Sequence, residues 1–241
     1  MKYALDVHTH TIASGHAYST LMENAKAASE KGIKVLGTTE HGCTMPNAPH
    51  IWYFQNYKVL PRELYGVTML YGVEANIIDY DGNLDMDDDT LKRMDIVIGS
   101  VHEVVYKVGS IEENTKAFLN VIKSGKVNII GHIGNPKVPV DFEPIIKCAK
   151  EHNVLIEINN SSLTTSRAGS LDNCTKVAEL CKENGNMIVI NSDAHFCTKI
   201  GEFTEALNML KSIDFPEDKI INTKPEMLLD MLSTEKGLHI T

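Results

Sequence analysis

Residues 3–41 read YALDVHTHTIASGHAYSTLMENAKAASEKGIKVLGTTEH, and their pattern decides the fold class. A strand-like run over 3–10 leads through a short loop to Thr20, which with Glu23 forms a capping box that opens a helix. Gly32 closes that helix, and a second apolar run follows over 34–40. Strand, helix and strand at this spacing predict a parallel pair joined by a helical crossover.

Working outward, further strand-like runs fall at 67–76, 95–102, 127–132, 154–159 and 187–193. Several are apolar throughout, as strands covered by helices should be. Ser110 with Glu113 opens another helix with Ala117, Phe118, Val121 and Ile122 on one face, and Ser170 precedes a third that stops at Asn184–Gly185. The stretch YDGNLDMDDD reads as a turn or hairpin around Asp81–Gly82, carrying a short acidic patch of Asp85, Asp87, Asp88 and Asp89. Seven strands with crossovers in 241 residues suit a single domain, a distorted (β/α)7 TIM-like barrel of parallel strands with outer helices. An open doubly wound sheet also fits the alternation, but no GxGxxG or GxxxxGK[ST] follows a strand.

Composition narrows the function. Lys and Arg number 23 against 32 acids, a net charge of -9, which speaks against long nucleic acid or anionic membrane as partner. No run approaches the roughly 18 apolar residues of a membrane span, and the N-terminus lacks a signal-peptide pattern. Five scattered cysteines without a CxxC pair read as free thiols in a reducing cytoplasm. A homo-oligomer is compatible with all of this.

The ten histidines are the unusual feature. His8 and His10 end the first strand, His41 follows the second, Glu74 lies near the end of the third, and His102 and His132 end the fourth and fifth. Asp193 and His195 lie at the end of the seventh, and His16 lies in the first loop. All strand C-termini of a parallel barrel open on one face, so these residues converge. Burying so many polar groups together is costly without a partner, and metal ions supply one. Nine nitrogen-rich ligands suit more than one ion, three if a carboxylate bridges, with Zn, Fe or Mn favoured over Ca or Mg. His50, His152 and His239 do not fit the pattern and read as structural or solvated. Three divalent ions against two carboxylates leave a positive pocket, so a phosphate ester attacked by a metal-bridging hydroxide is the expected chemistry.

The ordered motifs HTHTIASGHAYS, TTEHG, GVEANI, SVHE, GHIGNP, EINNSS and NSDAH resemble those of the PHP (polymerase and histidinol phosphatase) superfamily, and within it the small YcdX-type phosphatases. The resemblance implies a distorted seven-stranded barrel with a trinuclear zinc site. It assigns His8, His10, Glu74 and Asp193 to one ion, Glu74, His102 and His132 to a second, and His16, His41 and His195 to a third. The superfamily usually has Asp where this chain has Glu40, and that carboxylate is expected to orient an imidazole; Asp6, of the same strand parity as His8, is a second candidate for that role.

Arg167, among Ser and Thr donors, and Lys137, after the GHIGNP turn, are candidate phosphate binders, with Arg167 preferred. Asn159 and Asn160 either donate into the pocket or cap the turn that follows. The segment between His41 and Val67, with Trp52, Tyr53, Phe54 and Tyr57, is a pocket wall or a packed loop. Beside hydrolysis of a small phosphomonoester stand three other readings. They are phosphodiester cleavage at the same site, amidohydrolase-type C–N hydrolysis, and a metal-binding regulatory module without turnover.

Overall fold

The computed structural model describes residues 2–236, so His239 lies outside the described residues. Seven strands run parallel in the order β1 (Leu5–Asp6), β2 (Val35–His41), β4 (Val67–Asn76), β5 (Val97–Ser100), β6 (Ile129–Ile130), β7 (Leu155–Asn159) and β8 (Ile188–Asn191). A two-residue strand not foreseen from the sequence, β3 (Glu63–Leu64), pairs antiparallel with β4. The principal crossover helices are α1 (Leu21–Glu30), α4 (Ile111–Lys123), α5 (Phe142–Glu151) and α6 (Ser170–Asn184), and α7 (Thr204–Ser212) follows the last strand. The short α2 (Ile51–Gln55) and α3 (Asp88–Leu91) sit in loops, and α8 (Pro225–Lys236) ends the described chain. Both expected capping boxes are present, and Gly185 closes α6 in the left-handed conformation.

The sheet nearly closes on itself. Thr9 bridges Ala194 in parallel, and the Val7 amide donates to Asn191 Oδ1 at 2.9 Å. Lower down, Asn222 fills the remaining gap. Its Oδ1 accepts from the Ile190 amide, and its Nδ2 donates to the carbonyls of Leu5 and Ile190. One buried carboxamide thus stands in for ladder bonds that β1 and β8 do not make directly.

Two apolar layers result. The larger packs the crossover helices against the outside of the barrel. The smaller contains Leu5, Val7, Leu70, Ile98, Ile129, Leu155 and Val189 in the barrel interior, and Leu228 and Leu232 of α8 join it. α8 therefore plugs the barrel at the end opposite the ligand-bearing strand ends. The expected hairpin near Asp81–Gly82 also forms, with Ile77 bridging Leu84 and Gly82 at a positive φ of 78°. The residues of the acidic patch go separate ways. Asp87 caps α3, Asp88 pairs with Lys126, and Asp89 lies near Lys92.

The aromatic segment after β2 divides. Phe54 and Tyr57 are buried, with Tyr57 against Tyr71, whereas Trp52 is 73% exposed. No described helix is long and apolar enough to cross a membrane.

Candidate metal centre

Glu74 is the hub. It points into the barrel from β4 and is fully buried. Its Oε1 lies 2.8 Å from His132 Nε2, 3.3 Å from His8 Nε2 and 3.4 Å from His102 Nε2. Its Oε2 lies 2.7 Å from His41 Nδ1 and 3.6 Å from His10 Nε2. Asp193 Oδ1 stands 3.3 Å from His10 Nε2 and 3.7 Å from His8 Nε2. His16 Nε2 faces His41 Nε2 at 3.1 Å, and the His16 and His195 rings lie 4.9 Å apart. All nine residues expected to converge do so. The cluster is buried on the Glu74 side and open on the other, where His16 is exposed and His195 is half-buried.

The outer nitrogens of four of these rings are already engaged. His8 Nδ1 contacts Glu157 at 2.7 Å, His102 Nδ1 contacts Asn76 Oδ1 at 2.7 Å, and His195 Nδ1 contacts the Asp193 carbonyl at 3.0 Å. His10 Nδ1 lies 3.3 Å from Ser14 Oγ, whose hydroxyl donates to Glu40 Oε2 at 2.6 Å. Since that hydroxyl proton goes to Glu40, the ring must donate to Ser14, leaving His10 Nε2 bare. Glu40 therefore bears on the His10 imidazole through Ser14 rather than by touching it.

Asp6 does not touch one. Its carboxylate accepts from the Ser192 amide and hydroxyl and from the Gly201 amide. Leu5 and Val7 both face the interior, yet His8 also reaches it, so the strand alternation stops at Val7, where the ladder with β2 has already ended. Strand parity, which paired Asp6 with His8, does not hold across that break.

Glu157 was not singled out from the sequence, although it orients the centre more directly than either. Fully buried on β7, it accepts from the His132 amide at 2.8 Å and from the Asn191 carboxamide at 2.9 Å, besides meeting His8. The available signal was an acid inside an apolar strand, in EINNSS, two residues after a core leucine.

Backbone strain accompanies two residues of the cluster. His132 has φ 28° and Asp193 φ 53°, both in the left-handed region. Each lies two residues beyond its strand, where the chain must turn to aim the side chain inward.

Electrostatics favour ionised acids among neutral rings. Burial opposes charge on Glu74, but His8, His102 and His41 outweigh it and hold the carboxyl well below its usual range. Asp193 is depressed in the same sense, with His8, His10 and Arg167 overcoming burial. Burial chiefly pushes the rings of His10, His16 and His132 down, and takes His102 to about 3. His8 is the exception. Burial would lower it, but the carboxylates of Glu157, Glu74 and Asp193 raise it well above an ordinary histidine.

Metal ions fit this donor set. His8 Nε2, His10 Nε2, His41 Nδ1, His102 Nε2 and Glu74 Oε2 are buried and lack a hydrogen bond, though each lies within 3.6 Å of a carboxylate or imidazole atom of opposite kind. Each orphaned atom costs about 1–3 kcal/mol if nothing binds it. Ligand atoms of His8, His10 and Asp193 lie within 4.8 Å of one another, as do those of His41, Glu74 and His102, and of His10, His41 and His195.

The remaining candidates separate cleanly. Arg167 is largely buried, donating to Asp193 Oδ2 and to Ser162 Oγ, both at 3.1 Å. Lys137 lies outside the cluster, 75% exposed and paired with Glu103 at 3.0 Å. Asn159 fills both of its expected roles. Its Nδ2 donates to Asp193 Oδ2 at 3.2 Å and its Oδ1 caps Ser162. Asn160 instead accepts from the Ala206 amide of α7. His50 caps α2 and His152 caps α5, away from the centre.

The barrel and its buried histidine-rich cluster define the class, and the chain belongs to the PHP domain family, which matches it over residues 6–161. A protein of Clostridium novyi (strain NT) named "Probable phosphatase" is 60% identical over 238 residues, 99% of this chain and 98% of its own length. A protein of the same name from Aliivibrio fischeri is 49% identical over 96% of this chain and 94% of its own length. Among solved structures, a histidinol phosphate phosphatase of Lactococcus lactis, complexed with zinc, L-histidinol and phosphate, shares the fold. Its TM-score is 0.64 at 18% identity, over 89% of this chain and 95% of that one.

Proposed function

We propose that this chain hydrolyses a small phosphomonoester at a trinuclear zinc-type centre. In class it is a PHP-family phosphatase, a hydrolase of phosphoric esters, in keeping with its near full-length relatives. The observation that carries the finer reading is the set of five buried ligand atoms without a hydrogen bond that converge on one cluster. His8, His10, Glu74 and Asp193 would hold one ion, Glu74, His102 and His132 a second, and His16, His41 and His195 a third. The last group includes the exposed edge of the cluster, where substrate enters. When bound, the ions supply an activated water and positive charge for the phosphoryl oxygens, with Mn or Fe able to replace Zn in some positions.

The chain's own groups do the rest. Glu157, Asn76 and Ser14 hold three rings with one nitrogen facing inward. Arg167, anchored by Asp193 and Ser162, places a guanidinium beside the ligands, where it can bind phosphate oxygens. A cavity of about 290 Å³ adjoins Asp193 and His195, walled by Tyr18, Ser161, Thr164 and Phe196, and accepts the leaving group. Its size and the overall charge of -9 suit a small metabolite rather than a polynucleotide.

The test measures metal content by mass spectrometry alongside hydrolysis of p-nitrophenyl phosphate and a panel of phosphorylated metabolites. About three ions per chain with phosphate release is the expected result. Fewer than one ion per chain in protein prepared without chelators refutes the trinuclear reading. Full occupancy with activity only on diesters or cyclic amides transfers the site to one of the other hydrolases.

A further inference from the structure

We propose that Asp85, a residue outside the ligand set, is a positioning residue that fixes the tautomer of His102 through Asn76. The inference rests on the metal-centre reading above.

Asp85 lies in the hairpin after β4, and its carboxylate collects four donors. Oδ1 accepts from the Asn76 amide at 2.8 Å. Oδ2 accepts from Asn76 Nδ2 at 2.6 Å and from the Thr44 amide and hydroxyl at 2.9 and 2.8 Å. Asn76 ends β4, and its Oδ1 meets His102 Nδ1 at 2.7 Å.

A carboxamide has two faces, and its orientation is set by its neighbours. A carboxylate only accepts, so Asn76 must turn its Nδ2 toward Asp85 and its oxygen toward His102. That oxygen also only accepts, so His102 must carry its proton on Nδ1. Its Nε2 is then a bare lone pair, buried without a hydrogen-bond partner 3.4 Å from Glu74 Oε1. The charge on Asp85 is thus read, two bonds away, as a ring ready to bind metal.

The same carboxylate faces Gly42, directly after the ligand His41. A Cβ at Gly42 would fall 2.2 Å from Asp85 Oδ1, so only glycine lets the two approach. Asp85 could therefore act merely by clamping the Gly42–Thr44 loop, and the experiment separates that role from the relay.

Asp85→Asn cannot accept from both Asn76 groups, since its amide either opposes the Asn76 backbone N–H or offers a donor where Asn76 Nδ2 now points, and Asp85→Ala removes the acceptor altogether. Asn76 then flips, its Nδ2 faces His102, and the ring moves its proton to Nε2. The expected result is about 10- to 100-fold weaker zinc binding at one position, read by competition with a chromophoric chelator on the full chain. In histidine-15N-labelled, metal-free protein, His102 changes from the Nδ1–H to the Nε2–H form. Adding Asn76→Asp restores an acceptor for His102, so the double variant recovers zinc binding. Thr44→Val removes the hydroxyl half of the clamp and a 3.4 Å contact from Asn76 Nδ2, leaves the 2.6 Å bond from Asn76 Nδ2 to Asp85 in place, and binds zinc as wild type does.

If Asp85→Asn and Asp85→Ala both keep wild-type zinc affinity and the Nδ1–H tautomer, the relay does not exist. If Thr44→Val weakens binding as much as Asp85→Asn, the clamp explains the effect and the proposal falls. Should Asp85→Asn not fold, the double variant carries the test, and weak zinc binding by that folded protein overturns the proposal. Wild-type protein that takes up no zinc defeats the metal-centre reading and this inference together, whereas the other failures leave that reading intact.

Discussion

The barrel interior has two floors built by the same strands. On the lower floor Leu70, Ile98, Ile129, Leu155 and Val189 pack against Leu228 and Leu232. Two to four residues further along the same strands stand Glu74, His102, His132, Glu157 and Asp193. The lower floor is complete as protein, because apolar surface needs only apolar surface to be satisfied. Burial is nearly as thorough on the upper floor, yet five donor atoms there have no hydrogen bond. One half of the interior stabilises the fold, and the other spends that stability holding groups in readiness for cations.

Substitution at the hub gives the sharpest break between the two floors. Glu74→Gln removes the charge shared by five imidazoles within 3.6 Å. Metal analysis should find ions lost, with phosphatase activity falling by more than the roughly 10- to 100-fold usual for an outer partner. Full metal content in this variant would show that Glu74 is not a ligand.

Glu157→Gln sits where the floors meet. It weakens the hold on the His8 ring and puts an amide donor among groups that donate to Glu157. Zinc affinity and kcat should drop by about 10- to 100-fold in folded protein. An unchanged affinity would demote Glu157 to a packing role.

Leu228→Ala addresses the lower floor alone. The residue is 1% exposed in α8, so its truncation should cost about 2–5 kcal/mol in denaturant unfolding. The loss should be equal in metal-loaded and chelated protein, with metal content per folded chain unchanged. A loss that differs between the two states would mean that the floors are coupled.

The smallest effect belongs to Asp6, whose carboxyl is raised by burial from 3.8 to about 6 despite its bonds to Ser192 and Gly201. The folded state therefore holds this proton more tightly than the unfolded chain. That contribution is fully present below about pH 3.8 and is lost as pH rises through about 6. In chelated protein, melting of Asp6→Asn relative to wild type should shift in favour of the variant, by a few degrees, between pH 4 and 7. A flat difference across that window would show that Asp6 does not titrate there.

Most of the fold was legible because it rests on local signals. Alternating strand and helix patterns, two capping boxes and the length of the chain favoured a parallel barrel over the open sheet that the alternation also allowed. The converging histidines were legible for a related reason, since parallel strand ends converge wherever the barrel closes. Less visible were the groups that act through another residue. Glu157 looked like an ordinary strand residue, Asp85 like one of four surface acids, and Asp6 like a neighbour of His8 by parity. Their partners lie nine to about two hundred residues away, at separations no periodicity reports.

By itself the sequence determined the barrel class, the seven imidazoles and two carboxylates that meet at its open end, and the acidic character of the surface. Tertiary structure alone decided which nitrogen of each ring faces inward, because that depends on a hydrogen bond to a side chain delivered by another strand. It also decided that Arg167 rather than Lys137 joins the centre, and that one member of an apparent acidic patch faces Asn76. The physical reason is common to all three. A ligand's identity is a property of its residue, but its orientation is a property of the contact.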